Sequence, residues 1–127
     1  MDYEKLNEKL KQLKIEDFIW IIYIGIILMS WYANSLERKY FIYNEIKSRE
    51  KYRKMMILIF SILVIIYLYF FKDSYDSLKD IKLNDSYTKK NLTYMSYIGS
   101  LLIAISGFIF LYIAINDEEI NVEIAFN

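Results

Sequence analysis

The side chains that could carry chemistry in this chain of 127 residues are carboxylates, amines and hydroxyls, because it contains no His and no Cys. Imidazole catalysis, thiolate nucleophiles and zinc or iron–sulfur ligation by Cys are therefore excluded. The acidic run Asp117, Glu118 and Glu119 offers the oxygen ligands that Ca²⁺ or Mg²⁺ takes. Such a run also occurs where a solvated segment ends a helix, and we favour that interpretation. Since nothing else converges, neither an enzyme nor a cofactor is predicted.

A second concentration of charge lies between Glu37 and Lys54, where seven Lys and Arg residues stand against three Glu. Such a patch could bind anionic lipid headgroups or nucleic acid. It is also what the positive-inside rule expects of a loop between membrane spans, so we interpret it as a topology signal and expect no nucleic-acid partner. The i,i+4 pair Glu45 and Arg49 favours a helix, so we expect the flanking helices to extend into this loop.

Charge is absent from three stretches, residues 18–36, 55–71 and 91–116, so all 32 charged residues lie outside them. A helix on a soluble protein places a charged residue on its wet face about once per turn, and these stretches contain none. Crossing a hydrocarbon layer takes about 20 residues. A soluble bundle would need amphipathic helices to shield these segments, and none remain. The sequence predicts an all-α membrane protein with three transmembrane helices, at residues 17–36, 55–72 and 93–116.

The flanks of the spans predict location and topology. Trp20 and Trp31 lie near opposite ends of the first span, as in interfacial aromatic belts. Acidic residues precede this span and no small-x-small site follows, so we expect it to be retained. Abundant Ile, Lys, Asn and Tyr are typical of an AT-rich genome and favour a bacterial cytoplasmic membrane. The two sides carry nine and seven Lys or Arg residues. The larger number of Lys and Arg residues on the N-terminal side favours an N-terminus inside the cell. The higher density of these residues next to the first span favours the first loop inside instead. We predict this second orientation, which also places the C-terminus inside.

The third span segregates its small residues. At about 100° per residue they fall within one half of the helix circumference. The set is Ser96, Gly99, Ser100, Ala104, Ser106, Gly107 and Ala114. Small residues let helices approach closely in lipid, and serines can bond between them. This face is expected either to pack against the other two spans, or to pack against copies of the chain or line a narrow pore. The second span offers only Ser61 and is predicted to face mainly lipid.

Two amphipathic segments flank the spans. Residues 1–16 form a predicted amphipathic helix with a short apolar seam of Tyr3, Leu6, Leu10 and Leu13. This seam would lie on the membrane or the protein, or join subunits in a small helical bundle. In the acidic tail, residues 117–127, the apolar residues Ile120, Val122, Ile124 and Phe126 alternate with other residues, which predicts a β-strand. The chain offers no obvious second strand, so pairing with another copy or with a partner's sheet edge is expected.

These patterns predict a function by assembly. Because no ionisable residue lies within a predicted span, coupled transport and voltage sensing are disfavoured. The leading hypothesis is a homo-oligomer that forms a channel or membrane-permeabilising pore, as an effector or toxin would, with lipid and its own copies as partners. The alternative is an accessory, scaffold or immunity-type subunit whose tail docks on a larger protein.

Overall fold

A computed structural model describes residues 2–124 as three antiparallel helices. They are α1 (Tyr3–Tyr43), α2 (Ile46–Lys79) and α3 (Tyr87–Asn116). At about 1.5 Å per residue, α1 alone is roughly 60 Å long. The all-helical character expected of the spans is confirmed for this part of the chain. Two of the helices, α2 and α3, are long and apolar enough to cross a membrane, which supports a membrane location.

Helix α1 corrects the predicted organisation of the N-terminus. A separate amphipathic helix over residues 1–16 was expected before a span at 17–36, but both segments belong to one continuous helix. The physical reason is that nothing breaks it, because the chain has no Pro and its first glycine is Gly25. The helix ends where Asn44 adopts a left-handed conformation with φ 53°, which Asn tolerates better than most residues.

The connections between the helices are short. Only Asn44 and Glu45 separate α1 from α2, so the expected extension of both helices into the basic loop is confirmed. Residues 80–86 join α2 to α3, and the Ser86 hydroxyl caps α3 by accepting from the Lys89 N–H at 3.1 Å. In this turn the Lys82 N–H donates to the Asp85 carboxylate, which holds the pKa of Asp85 below its ordinary value.

Helix α2 lies at the centre of the bundle and packs against both α1 and α3. It contributes nine buried residues, against four from α1 and three from α3, so the prediction that this span faces mainly lipid is wrong. Its largest fully buried side chains are Phe60, Met56 and Ile59. The neighbouring helices bury small residues, among them Ala33 and Ala104. Bulky side chains of one helix fill the space that small residues of another leave open, which a count of small residues in α2 could not reveal.

The tail corrects the strand prediction. No strand occurs within residues 2–124, and Phe126 lies outside the described residues. Ile120 and Ile124 instead join the buried cluster of the same chain, which also contains Leu36 and Tyr52, while Val122 remains half exposed. Ile120 has φ 56°, a left-handed conformation incompatible with a strand. Burial of two isoleucines in the chain's own core competes with the extended form that the alternation favours.

Candidate functional site

Three serine hydroxyls join α2 to α3 near one end of the bundle. Ser74 of α2 is buried, and its Oγ lies 2.7 Å from Ser100 Oγ and 3.4 Å from Ser96 Oγ. The two α3 serines belong to the small-residue set that the sequence singles out, and they are one helical turn apart (i and i+4), so they lie on one helix face. An interhelical hydroxyl network of this kind contributes roughly 0.6–2 kcal/mol per bond within a bilayer.

Further along the same face, small residues of α3 allow a close approach to α2. Ala104, Gly107 and Ala114 are buried. A Cβ atom at Gly107 would stand 2.8 Å from Tyr67 Cδ2 and 3.3 Å from Val64 Cγ2. The tyrosine ring therefore lies directly on the glycine backbone, and a side chain at position 107 would have to displace it.

The other two members of the small-residue set are not part of this contact. A Cβ at Gly99 would meet nothing within 4 Å, and the Ser106 hydroxyl donates to the Leu102 carbonyl of its own helix. The structure thus brings together Ser96, Ser100, Ala104, Gly107 and Ala114 on the side of α3 that faces α2. Gly99 and Ser106 lie apart from them.

A crevice of about 290 Å³ opens beside the serine cluster, and all three helices contribute to its walls. Its lining combines aromatic rings, hydroxyls and one carboxylate: Tyr23 from α1, Tyr67, Phe70, Asp73 and Ser74 from α2, and Ser96, Ser100 and Ile103 from α3. Asp73 follows the charge-free stretch 55–71 by two residues, whereas Tyr67 lies about 9 Å deeper along α2. We call the part of the bundle formed by the charge-free stretches the apolar layer. The crevice therefore begins at the edge of this layer and extends into it.

Asp73 supplies the only ionisable carboxylate of this lining. Its Oδ1 accepts a hydrogen bond from Gln12 Nε2 at 2.8 Å, which ties the N-terminal part of α1 to the end of α2. Among residues 2–124, no Lys or Arg lies at ion-pair distance from it. The crevice thus carries a partly buried negative charge next to aromatic rings, with a neutral amide as its partner.

A second polar cluster lies at the opposite end of the bundle, around Tyr52. This side chain is only 4% exposed, and its hydroxyl donates to the Glu37 carboxylate. Burial raises the pKa of Tyr52 well above its ordinary value, and the negative charges of Glu37, Glu123 and Asp117 raise it further. The cluster therefore joins α1, α2 and the tail through a tyrosine that remains protonated at neutral pH.

The tail is fixed at this end by backbone groups as well. The Asp117 carboxylate accepts from the N–H groups of Asn121 and Val122 at 2.9 and 2.8 Å. Arg53 Nη2 donates to the Ile115 carbonyl at 2.8 Å. Asp117, considered in the sequence as a cation ligand, thus accepts hydrogen bonds from the turn that follows α3. One of the basic residues assigned to topology also ties α2 to α3.

The predicted N-terminal seam is exposed, and the continuity of α1 extends it. Apolar residues at spacings of three, four or seven follow one side of the helix. Together we call them the α1 stripe: Tyr3, Leu6, Leu10, Leu13, Trp20, Ile24, Ile27 and Trp31. Each is at least 41% exposed. The side of α1 that packs on α2 is a different one, marked by Ile19, Ile26 and Ala33. The chain itself leaves the stripe uncovered.

Among the residues of these clusters that the sequence did not single out are Tyr52, Tyr67, Asp73 and Ser74. Asp73 and Ser74 lie two and three residues beyond the second charge-free stretch, where a polar residue is expected to meet water. Tyr52 lies within the basic loop. A signal was available for Ser74 only, because a serine on a neighbouring helix is the natural partner of the Ser96 and Ser100 pair.

Comparison of the chain with protein-family models, with curated proteins and with solved structures finds no match.

Proposed function

We propose that this protein is an integral membrane protein of three spans, in which α1 crosses the bilayer together with α2 and α3. The charge-free residues 18–36 of α1 are long enough for this crossing. Their outward side carries large apolar side chains such as Trp20, Ile24 and Ile27, each at least 59% exposed. Lipid is the environment in which such a surface is stable.

We further propose that it acts as a homo-oligomer assembled along the α1 stripe, and the observation that carries this proposal is the stripe's continuity. Its first four residues lie in a segment with charged residues in every turn, which belongs in water. Lipid can cover Trp20 and Ile24 but cannot cover Leu6 or Leu10. A neighbouring helix that runs along the whole stripe covers both parts. Copies of the chain inserted in the same orientation have parallel α1 helices, so the stripe of one copy can lie along the stripe of the next.

Charge does not prevent this assembly. Parallel pairing brings Lys9 of one copy near Lys14 of the next, and a like-charge pair on a helix surface costs about 0.2–0.5 kcal/mol. Fully burying one Leu contributes roughly 1.5–3 kcal/mol. Because the seam holds three leucines, the apolar contribution outweighs the repulsion.

A permeability pathway is the more specific part of the proposal. Two observations from the sequence no longer favour it, since most of the small face of α3 packs within one chain and the tail docks on its own core. The crevice with Ser74, Ser96 and Ser100 supports it, as a hydroxyl-lined entry that extends into the apolar layer. Beyond this entry the spans are apolar, so a pathway would contain a hydrophobic constriction that gates by dewetting.

The mass of the full chain in detergent, measured with and without cross-linking, tests the assembly. We expect a uniform oligomer of three or more chains, and Leu10→Gln shifts it toward the monomer. The matched control is Lys11→Gln, which places the same side chain one position away, off the stripe, and leaves the oligomer intact. A stable wild-type monomer contradicts the proposal. A dimer, or an oligomer without leakage from loaded vesicles, contradicts only the pathway.

An accessory subunit is the second candidate, favoured by the lysines beside the seam. Lys9 and Lys14 suit a partner helix that carries acidic residues next to its own apolar seam. In that case the chain is monomeric alone, and both Leu10→Gln and the double change Lys9→Glu with Lys14→Glu release the partner. Release by Leu10→Gln alone contradicts the role assigned to the lysines.

A further inference from the structure

The crevice between the three helices has the composition of a site for a positively charged organic group. Tyr23, Tyr67 and Phe70 contribute three aromatic rings to a volume of about 290 Å³. Aromatic side chains attract cations through the negative electrostatic potential of their faces, and clusters of such rings recognise alkylated ammonium groups. The volume lies just below the usual range for small-molecule pockets, roughly 300–1,000 Å³, which suits a small group.

Asp73 gives the crevice a negative charge. Its carboxylate is partly buried at the polar end of the crevice, and Gln12, a neutral amide, donates to it. In the part of the chain that the structure describes, it forms no ion pair. A partly buried carboxylate is stabilised when a cation binds next to it, whereas an anionic ligand would be repelled.

The rest of the lining excludes a hard metal ion as the preferred ligand. Ca²⁺ takes six to eight oxygen ligands and Mg²⁺ takes six. The crevice offers one carboxylate and three serine hydroxyls, which is fewer than either ion takes. The three hydroxyls are also bonded to one another, since Ser74 contacts both Ser96 and Ser100. An organic ammonium group needs fewer oxygens, because its alkyl part contacts the rings.

The packing of α2 on α3 fixes the position of one ring. Tyr67 rests on Gly107, where even a methyl group would clash with the ring at 2.8 Å. Phe70 and Asp73 follow on the same helix at intervals of three residues, so ring, ring and carboxylate share one side of α2. The arrangement is built into a single copy of the chain and does not depend on assembly.

We propose that the crevice formed by Tyr23, Tyr67, Phe70 and Asp73 binds an organic ammonium group. The group reaches it either as the headgroup of a zwitterionic lipid or as a small soluble amine, because the crevice begins at the edge of the apolar layer. Its carboxylate end takes the cation, and the apolar remainder of a lipid continues along the outside of the bundle.

The experiment uses the full chain in a maltoside micelle, which contains no ammonium group. In the soluble arm, choline chloride is titrated against the chain by calorimetry, with potassium chloride at equal ionic strength as reference. In the lipid arm, native mass spectrometry compares retention of phosphatidylcholine and phosphatidylethanolamine with that of phosphatidylglycerol. We expect saturable binding in at least one arm and identify the source from the arm that shows it. Binding in neither arm, or equal competition by potassium, overturns the proposal.

Substitutions inside and outside the crevice test whether the binding occurs there. Asp73→Asn keeps an acceptor for Gln12 and removes the charge, so binding falls at least tenfold, while Asp76→Asn, an exposed acid on the same helix, changes it by less than twofold. Tyr67→Phe keeps the ring and the binding, whereas Tyr67→Leu loses both. Thermal unfolding of each variant shows whether it is folded. Equal effects of Asp73→Asn and Asp76→Asn contradict the site even where ammonium binds.

Discussion

Gly107 of α3 lies so close to Tyr67 of α2 that a Cβ atom on the glycine would stand 2.8 Å from the tyrosine ring. Gly99, two turns earlier on the same helix, faces open space. The two glycines therefore have different roles although they share a helix and a residue type. One sets the distance between α2 and α3, and the other does not touch a neighbouring helix.

Alanine at the two glycines separates these roles. Gly to Ala in a helix stabilises by up to about 1 kcal/mol, because glycine is conformationally freer in the unfolded state. At Gly107 the new methyl group displaces Tyr67, and overpacking costs about 1–3 kcal/mol. Gly107→Ala is therefore expected to lower the midpoint of thermal unfolding in detergent, and Gly99→Ala to raise it slightly. Equal shifts for the two variants would show that the close contact is absent.

Removal of the Ser74 hydroxyl is expected to loosen the same pair of helices at one end. Ser74→Ala leaves Ser96 and Ser100 without their partner on α2, at a cost of roughly 0.6–2 kcal/mol for each bond lost. Ser61→Ala is the matched control, since the Ser61 hydroxyl donates to the Ile57 carbonyl of its own helix. The measurement is the free energy of unfolding in mixed detergent micelles, and a loss for Ser61→Ala as large as that for Ser74→Ala contradicts the interhelical role.

Titration of Tyr52 predicts a loss of stability in alkali. The pKa of this residue is raised in the folded chain, and in the unfolded chain it is about 10. As the pH rises past about 10, the unfolded state loses this proton first, so folding becomes less favourable. Tyr52→Phe removes this term and is expected to lose less stability between about pH 8 and pH 11 than the wild type does.

Unfolding temperatures at the two pH values provide the measurement. Tyr43→Phe, at an exposed tyrosine near the end of α1, serves as the control and should follow the wild type. If Tyr52→Phe follows the wild type as well, the protonated tyrosine does not contribute to the pH dependence.

Shortening the side chains of two alternate tail residues to Ala tests how the tail packs on the bundle. Ile124 is buried, and Ile124→Ala is expected to cost about 2–4 kcal/mol and to increase cleavage of the tail by protease. Val122 is 51% exposed, so Val122→Ala is expected to change stability by less than about 0.5 kcal/mol. The strand hypothesis places both residues on one apolar face and predicts similar losses, so the ratio of the two effects decides between the arrangements.

Several features of this protein follow from the sequence alone. The absence of charge from three long stretches required apolar helices, since such stretches cannot form a wet face, and helices run through all three. The favourably ordered pair of Glu45 and Arg49 indicated that the helices extend through the basic loop. The small residues of α3 marked a side suited to close packing. Local periodicity and charge decide these features, so they can be recognised without a partner structure.

Tertiary structure alone decided which surfaces meet. The central position of α2 depends on how its bulky side chains pack: Phe60 is fully buried, and Tyr67 and Val64 lie against Gly107 of α3. No pattern within α2 records these contacts. The tail has the alternation of a strand, but a nearby buried cluster accepts Ile120 and Ile124 and overrides the local preference. The crevice requires Tyr23, Asp73 and Ser100 from three helices far apart in sequence. Contacts between distant segments depend on the relative rotation and height of whole helices, which side-chain packing sets only when the bundle closes.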